Sequence, residues 1–193
     1  MVSLNNLPQI IELTSYGGNY SSYIDAVYEI FHDDFIRHKA YFGSHELKMK
    51  FHPIFQERAY TFYHITHEGE KEDERQPDLR RCERICWAKP CVENVERWNL
   101  KFWRQMRKKS ENRICILLDV ENDFDYFVVL EVRENYVLLW TAFVSTRSHE
   151  TQKKLKEYEE WKRNEGKDVS TPDELIHRIQ ENIKSKRRQM PPP

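Results

Sequence analysis

Three apolar runs between Arg113 and Val144 constrain the fold more than any other part of the chain. The runs read RICILL, DYFVVLEV and YVLLWTAFV, and they are rich in the β-branched and aromatic residues that favour strands. The last two are joined by Arg133, Glu134 and Asn135, a three-residue connection whose Asn tolerates the left-handed conformation that such loops need. The pattern predicts an antiparallel β-meander over this stretch.

The composition of these strands also says how much of the sheet is covered. The strands are apolar at nearly every position, so both faces of the sheet must be largely buried by other parts of the chain. Side chains alternate between the two faces of a strand. In the last strand the alternation predicts two sets, with Val137, Leu139, Thr141 and Phe143 on one face and Tyr136, Leu138, Trp140 and Ala142 on the other.

Helical signals lie on both sides of the meander. The stretch SSYIDAVYEIFHDDFIRHK repeats apolar residues at helical spacing, which predicts a helix. A second helix is predicted to begin at Thr171, because Pro172 and Glu174 follow it in the spacing of a capping box. Two further strands are predicted, one in ELKMKF and one in YTFYHITH, although the second could instead open a helix. Three further helices are predicted: LRRCERICW, capped by Asp78, a basic helix from Glu93 to Lys109, and a charged helix from Ser148 to Arg163. The basic helix would place Val95, Trp98, Phe102 and Met106 on one side.

These elements together predict the fold class. We expect an α+β fold in which N-terminal helices pack on a central antiparallel β-sheet, the meander, with C-terminal helices after it. The 193 residues suffice for one domain with a hydrophobic core. We therefore expect a single α+β domain over residues 1–165, followed by a C-terminal helix and a basic tail over residues 166–193.

Several absences limit the location and the chemistry of the protein. No apolar run approaches the roughly 20 residues that a membrane-spanning helix needs, and the first residues lack the pattern of a signal peptide, so we expect a cytoplasmic protein with no membrane partner. The spacing of Cys82, Cys86, Cys91 and Cys115 fits buried thiols rather than disulfides or a zinc site. Dinucleotide-binding, P-loop, zincin and α/β-hydrolase motifs are absent, which favours chemistry without a cofactor or a metal.

The net charge of −1 conceals a basic central segment. Residues 75–109 hold 11 Lys and Arg against 4 Asp and Glu. Within this segment, RRCERICWAKP places Arg81, Arg84 and Lys89 close to Trp87. Guanidinium groups stabilise the transition state of phosphoryl transfer, and an indole ring offers a stacking face to a base. The alternative is a solvated helix face with Trp87 in the core.

The motif YHITH supplies two candidates for proton transfer, His64 and His67. Histidine is the side chain best suited to this task near neutral pH. On a strand, residues three apart lie on opposite faces, so only one of the two is expected to be catalytic. The more common role for such a residue is a core or surface histidine, and the sequence leaves the choice between the two open.

Thr141 is a hydroxyl in an otherwise apolar strand, and Arg147 follows where that strand ends. A buried Thr most often bonds to backbone. In a functional role, Thr141 would donate to a phosphate oxygen and Arg147 would bind the same phosphate from the strand exit.

The order of several motifs resembles a known family. Along the chain these are YxxAVYEIFxxDF, then FG, FYHIT, RxxRIxW, YFVVLEVRxxYxLLWTAF and a charged helix. The order resembles the phage-associated nucleases of the barnase/EndoU/colicin/RelE-like superfamily, over roughly Tyr23 to Tyr158. Members of that superfamily are metal-independent RNases with N-terminal helices packed on an antiparallel sheet.

The resemblance implies roles for particular residues. His64 corresponds to the histidine of the family's FxHI motif, Arg81 and Arg84 to the arginines before the Trp, and Thr141 to the Thr of the closing strand. The chain departs from the family pattern at WTAF, where Phe143 stands in place of an aromatic hydroxyl. No role for a Tyr is therefore carried over to that position.

The resulting hypothesis is a metal-independent endoribonuclease of a phage, mobile-element or toxin and defence context. It would cleave RNA by attack of the 2′-hydroxyl, leaving a 2′,3′-cyclic phosphate, with His64 as general base or acid. Arg81, Arg84 and Thr141 would act on the phosphate, and Trp87, Lys89 and Arg147 would bind substrate. Two alternatives are a nucleic-acid-binding module without catalysis and a protein-interaction component of a mobile-element system. The RNA target, a neutralising protein partner and the oligomeric state are left open.

Overall fold

A computed structural model describes residues 1–69, 71–105, 112–121 and 123–189. The α-helices in these ranges are α1 (Tyr20–His32), α2 (Tyr60–Thr66), α3 (Leu79–Glu83), α4 (Ala88–Glu93), α5 (Ser148–Asn164) and α6 (Pro172–Gln189). The strands are β1 (Tyr41–Phe42), β2 (His45–Lys48), β3 (His67–Glu68), β4 (Gln76–Pro77), β5 (Lys101–Arg104), β6 (Arg113–Leu118), β7 (Asp125–Val132) and β8 (Val137–Ser145). A π-helical turn extends α1, and 3-10 turns cover Leu4–Asn6, Leu13–Tyr16, Glu72–Glu74 and Ile85–Trp87. The predicted α+β class is confirmed.

Six strands form the main sheet, in the order β1-β2-β8-β7-β6-β5. Strands β6 to β8 pair antiparallel, which confirms the meander predicted from Arg113 to Val144, and β5 pairs antiparallel with β6. Strand β2, however, pairs parallel with β8 through Leu47 opposite Val137 and Lys48 opposite Leu138. The sheet is therefore mixed rather than antiparallel throughout. A strand that is joined to its neighbour by a long connection is free to enter in either direction, so the local pattern of β2 could not set its orientation.

The turn between β7 and β8 differs in detail from the predicted three-residue connection. It spans residues 133–136, and the Arg133 N–H donates to the Tyr136 carbonyl at 2.8 Å. Asn135 has a negative φ, so the left-handed conformation expected of it is not used. The turn therefore presents Tyr136 as a loop residue, with 44% of its surface exposed.

A β-bulge in β8 changes which side chains share a face. Leu139 pairs with Leu130 while Thr141 pairs with the neighbouring Val129, so Trp140 is the extra residue. Since Val129 and Leu130 face opposite sides of the sheet, Leu139 and Thr141 do so too. The prediction that Thr141 shares a face with Leu139 is therefore wrong, because one inserted residue reverses the alternation.

Two segments differ in secondary structure from the prediction, one being a helix where a strand was predicted and the other a strand where a helix was predicted. The segment YTFYHIT is helix α2 rather than a strand, and six of its seven residues are buried. A segment buried on all sides shows no informative periodicity, and its packing against β8 overrides the local preference of its aromatic residues for strands. The predicted helix from Glu93 to Lys109 is instead turns and strand β5, which pairs with β6. Asn99 (φ 50°) interrupts that stretch, whereas Met106 and Lys109 lie outside the described residues.

The helices cover the sheet and close one core. Buried side chains of α1, α2 and the Ile85–Trp87 turn join those of the strands, and α6 adds Leu175, Ile176 and Ile179 to the same cluster. Helix α5 packs on β5 and β8, where Tyr158 contacts Trp103. The predicted capping box of α6 is confirmed, because Glu174 accepts from the Thr171 N–H and Thr171 accepts from the Glu174 N–H. The four cysteines are buried free thiols, as predicted.

Candidate active site and basic groove

Helix α2 carries His64 to the wall of the sheet. The imidazole ring lies between two aromatic rings, at 5.6 Å from Tyr60 and 5.3 Å from Trp140 of β8, measured between ring centroids. Only 8% of the residue is exposed, and its Nδ1 atom is buried without a hydrogen-bond partner. His64 is therefore a buried titratable group that a purely structural role leaves unsatisfied.

The surroundings of both histidines keep them neutral. Burial, and then the positive charge of Arg75, lower the pKa of His64 to about 4, with smaller effects of Arg81 and Arg113. Burial likewise lowers the pKa of His67 to about 4. An imidazole with such a pKa is unprotonated at pH 7 and can accept a proton.

His67 is the more constrained of the two. Its Nδ1 lies 2.9 Å from Thr66 Oγ1, and that hydroxyl donates its hydrogen to the Phe62 carbonyl at 2.7 Å. His67 must therefore be the donor, with its proton on Nδ1. Its ring centroid lies 4.3 Å from that of Tyr63, with the two rings tilted by 32°. Since His67 forms the end of α2 and not an opposite strand face, the predicted separation of the two histidines does not hold.

Thr141 and Arg81 both hold the backbone around these histidines. The Thr141 hydroxyl donates to the carbonyl of His64 at 3.3 Å, which uses its one hydrogen. Arg81 Nη1 donates to the carbonyl of His67 at 3.3 Å, and its Nε lies 3.3 Å from an Asp78 carboxylate oxygen. The structure thus brings Thr141 and Arg81 to the C-terminal part of the short helix that carries His64, in positions that orient α2.

Arg84 and Trp87 lie elsewhere. Arg84 Nη2 donates to both carboxylate oxygens of Asp123, at 2.9 and 3.1 Å, and its guanidinium lies between the rings of Trp87 and Phe124. Trp87 is 1% exposed, and its indole N–H donates to the Pro8 carbonyl at 3.0 Å. The predicted stacking of a base on Trp87 is contradicted, because the ring is inside the core, and Arg84 is held away from His64 by its carboxylate.

Lys89 and Arg147 also stand apart from His64. Lys89 is in α4, where its ammonium lies 3.5 Å from the carbonyl of His38. Arg147 precedes α5 and lies 3.7 Å from the Glu150 carboxylate, exposed to solvent. No contact joins either side chain to the histidine pair within the described ranges. The predicted substrate-binding set is therefore dispersed, with Lys89 and Arg147 at separate places on the surface and Trp87 in the core.

Beside His64 lies a groove whose lining includes none of the predicted site residues. It has a volume of about 740 Å³ and is lined by Lys48, Met49, Lys50, Arg133, Asn135, Tyr136, Leu138 and Trp140. We call it the basic groove. Strand pairing shows why these residues meet: Lys48 lies opposite Leu138, which lies opposite Glu131, which lies opposite Arg113, so one row crosses four strands on one face.

The two rings that contact His64 each carry a cation from this region. The Lys50 ammonium lies 3.8 Å from the centre of the Tyr60 ring, and the Arg113 guanidinium 4.1 Å from that of Trp140. His64 therefore lies directly behind the groove wall. Sequence reasoning missed this groove because its residues come from the end of β2, the turn between β7 and β8, and β8, which are far apart in the chain. The alternation in ELKMKF was the only local signal, since it predicted a strand with lysines on one side.

Comparisons of the chain with protein-family models, with curated proteins and with solved structures each found no match. No helix in the described part of the chain is long and apolar enough to cross a membrane. Among residues 1–69, 71–105, 112–121 and 123–189, no three His, Cys, Asp or Glu side chains are grouped so that they could hold a metal ion.

Proposed function

We propose that the protein is a metal-independent endoribonuclease whose catalytic residue is His64. The observation that carries the proposal is a neutral imidazole directly behind the wall of a basic groove. A base that is unprotonated at neutral pH and lies next to a phosphate-binding surface is what 2′-hydroxyl attack on RNA needs. A neutral imidazole supports the role of general base over that of general acid.

The reaction assigned to this site is transesterification of the RNA backbone. His64 accepts the proton of the 2′-hydroxyl, the 2′-oxygen forms a bond to the adjacent phosphorus, and the bond from phosphorus to the 5′-oxygen breaks. The products are a 2′,3′-cyclic phosphate and a 5′-hydroxyl, whose proton comes from water. Lys50 and Arg113, whose charged groups lie over the two rings that contact His64, stabilise the negative charge that develops on the phosphoryl oxygens.

In this proposal Thr141 and Arg81 are positioning residues. Each holds a carbonyl of the segment that carries the histidines, so each fixes the direction of the imidazole rather than touching the phosphate. Arg84, Trp87, Lys89 and Arg147 have no part in the reaction.

The test is cleavage of a labelled single-stranded RNA in EDTA, with the product ends identified by mass. We expect a 2′,3′-cyclic phosphate, no cleavage when the 2′-hydroxyl at the cut site is replaced by hydrogen, and at least a hundredfold loss of rate in His64→Gln. His149→Gln is the matched control, since His149 is exposed in α5. In the parent protein kcat/KM should rise through about pH 4 and stay level from pH 6 to 8, since His64 titrates at about pH 4.

Two outcomes would contradict this function. One is cleavage that depends on an added metal, and the other is a His64→Gln variant that cuts as fast as the parent. The second candidate function is RNA binding without cleavage, which the small exposed fraction of His64 favours. Recovery of intact RNA from a complex whose affinity falls steeply with salt would support it.

A further inference from the structure

The C-terminal helix ends beside the basic groove. Gln180 of α6 donates from its side-chain amide to the Arg133 carbonyl at 3.3 Å. Two turns later, Arg187 lies 2.8 Å from the Glu134 carboxylate. Both contacts are to the turn between β7 and β8, whose other residues line the groove. The end of α6 is therefore fixed at one end of the groove by two polar contacts.

The two contacts of α6 with this turn join two positively charged regions, the last turn of α6 and the basic groove, into one surface. The last turn of α6 carries Lys186, Arg187 and Arg188, and Arg187 keeps 75% of its side chain exposed despite its ion pair. We call the surface made by Lys48, Lys50, Arg133, Arg187 and Arg188 the basic strip.

The carboxylates beside the basic strip are already engaged by cations. Glu46 is bound by Lys39 and Lys48, Glu131 by Arg133, and Glu134 by Arg187. No acidic residue lines the groove itself. The five cations of the strip together with Lys39 outnumber these three carboxylates, so an excess of positive charge remains to attract a polyanion.

An exposed aromatic ring lies between the two parts of the strip, the arginines at the end of α6 and the lysines at the end of β2. Tyr136 is 44% exposed at the turn and lines the groove, three residues from Arg133 and four from Trp140. An aromatic face next to a row of cations is the arrangement by which proteins bind single strands, with phosphates on the cations and an unpaired base on the ring. A base inside a duplex has no free face for such stacking.

We propose that the substrate is single-stranded RNA that lies along the basic strip. The end of α6 binds its phosphates, Tyr136 stacks one unpaired base, and the strand continues past Lys48 and Lys50 to the phosphate at His64. The inference rests on the proposed function for the chemistry at His64, and it adds the substrate class and a role for the C-terminal helix in binding.

The test measures binding apart from cleavage. The ligand is a fluorescent 12-nucleotide 2′-O-methyl RNA, which lacks the attacking hydroxyl, and its affinity for the full chain is measured by anisotropy in EDTA. We expect Tyr136→Ala to weaken binding roughly tenfold and Tyr136→Phe to retain it, because the phenyl ring preserves stacking. Tyr41→Ala is the matched control, since Tyr41 is 43% exposed on β1 and does not line the groove.

The helix and the strand specificity are tested with the same assay. The double variant Arg187→Ala with Arg188→Ala should lower the slope of log affinity against log salt by about 1.4, two phosphate contacts at ~0.7 each. The exposed pair Lys156→Ala with Arg163→Ala on α5 is the control. A duplex of the same sequence should bind at least tenfold more weakly. Thermal unfolding of each variant shows that it is folded.

The outcomes separate this inference from the proposed function. Equal affinity for duplex and single strand, or unchanged affinity in both Tyr136→Ala and the double arginine variant, overturns the inference even if the protein cuts RNA. The expected binding without any cleavage of unmodified RNA supports the inference and overturns the proposed nuclease.

Discussion

Two basic regions of this molecule look similar in composition and differ in what their charges do. The first is the α3–α4 segment, where Arg81 and Arg84 lie close to Trp87. The second is the basic groove, where Lys50 and Arg113 lie close to Tyr60 and Trp140. In the first region Arg84 forms a bidentate pair with Asp123, and the indole is in the core. In the second, Lys50 lies over the Tyr60 ring and Arg113 over the Trp140 ring beside an open groove, and the Arg113 Nε atom is 3.9 Å from the Glu131 carboxylate, a longer contact than that of Arg84.

The difference shows that the number of cations in a segment does not measure the charge that a ligand meets. A guanidinium that two carboxylate oxygens neutralise contributes to stability and little to the surface potential. The groove has fewer cations, and β2 and the turn between β7 and β8 bring Lys48, Lys50 and Arg133 together there. The predictions below separate these two roles by asking which region changes stability and which changes RNA affinity.

The largest expected effect is on stability, at Trp87. We expect Trp87→Ala to lower the free energy of unfolding by about 4 kcal/mol, because it leaves a large cavity between α3 and the sheet. Urea denaturation measures the loss. The affinity of the folded variant for 2′-O-methyl RNA should equal that of the parent. A selective loss of RNA affinity with unchanged stability would show that Trp87 does contact substrate, and the two regions would then share the binding role.

The next effect concerns the ion pair of Arg84. We expect Arg84→Met to cost about 3 kcal/mol in the free energy of unfolding, since it leaves the mostly buried Asp123 carboxylate without its partner. In Arg84→Met with Asp123→Asn the loss should be smaller than the sum of the two single losses, because the pair is removed together. Additive losses would show that the contact is not coupled. RNA affinity should be unchanged in all three variants.

The third effect comes from the neutral histidines near the groove. The folded-state pKa of His64 and of His67 is about 4, below the 6.5 of the unfolded chain, so the unfolded chain binds more protons between these pH values. Stability is therefore complete above pH 6.5 and is lost as the pH falls toward 4. The loss between pH 7 and pH 5 should be about 2 kcal/mol for each histidine.

Denaturation at both pH values in His64→Gln and His67→Gln measures the contribution of each ring. Each variant should show a pH 7 to pH 5 difference about 2 kcal/mol smaller than that of the parent, while His149→Gln should match the parent. An unchanged difference in His64→Gln would mean that His64 is solvated and titrates normally, and the reason for assigning it the role of base at the groove would then be lost.

Much of the fold could be predicted because its signals are local. The three strands of the meander are long, apolar and β-branched, and the start of α6 is marked by Thr171 and Glu174 in the spacing of a capping box. The helix predicted from residue 21 is α1, which begins at Tyr20 and has Asn19 as its N-cap. In each case the residues that decide the structure are neighbours along the chain, so a short window contains the information.

The candidate site could be predicted only in part. The sequence and its family resemblance pointed to His64, Thr141 and Arg81, which the structure brings to one short helix and the strand beside it. They could not show that Thr141 donates to the His64 carbonyl, since that contact joins residues 77 positions apart. They also placed Trp87 in the site, because the local sequence of a Trp next to arginines does not distinguish a buried ring from an exposed one.

The sequence by itself determined the antiparallel meander, the long helices α1, α5 and α6, and the presence of a histidine in an aromatic surrounding. Only the tertiary structure decided that YTFYHIT is a helix, that β2 enters parallel to β8, and that a bulge turns Thr141 toward α2. The physical reason is the same for these three features and for the basic groove. Each depends on which distant residue occupies the neighbouring space, and burial and charge pairing between such residues outweigh the preference of the local segment.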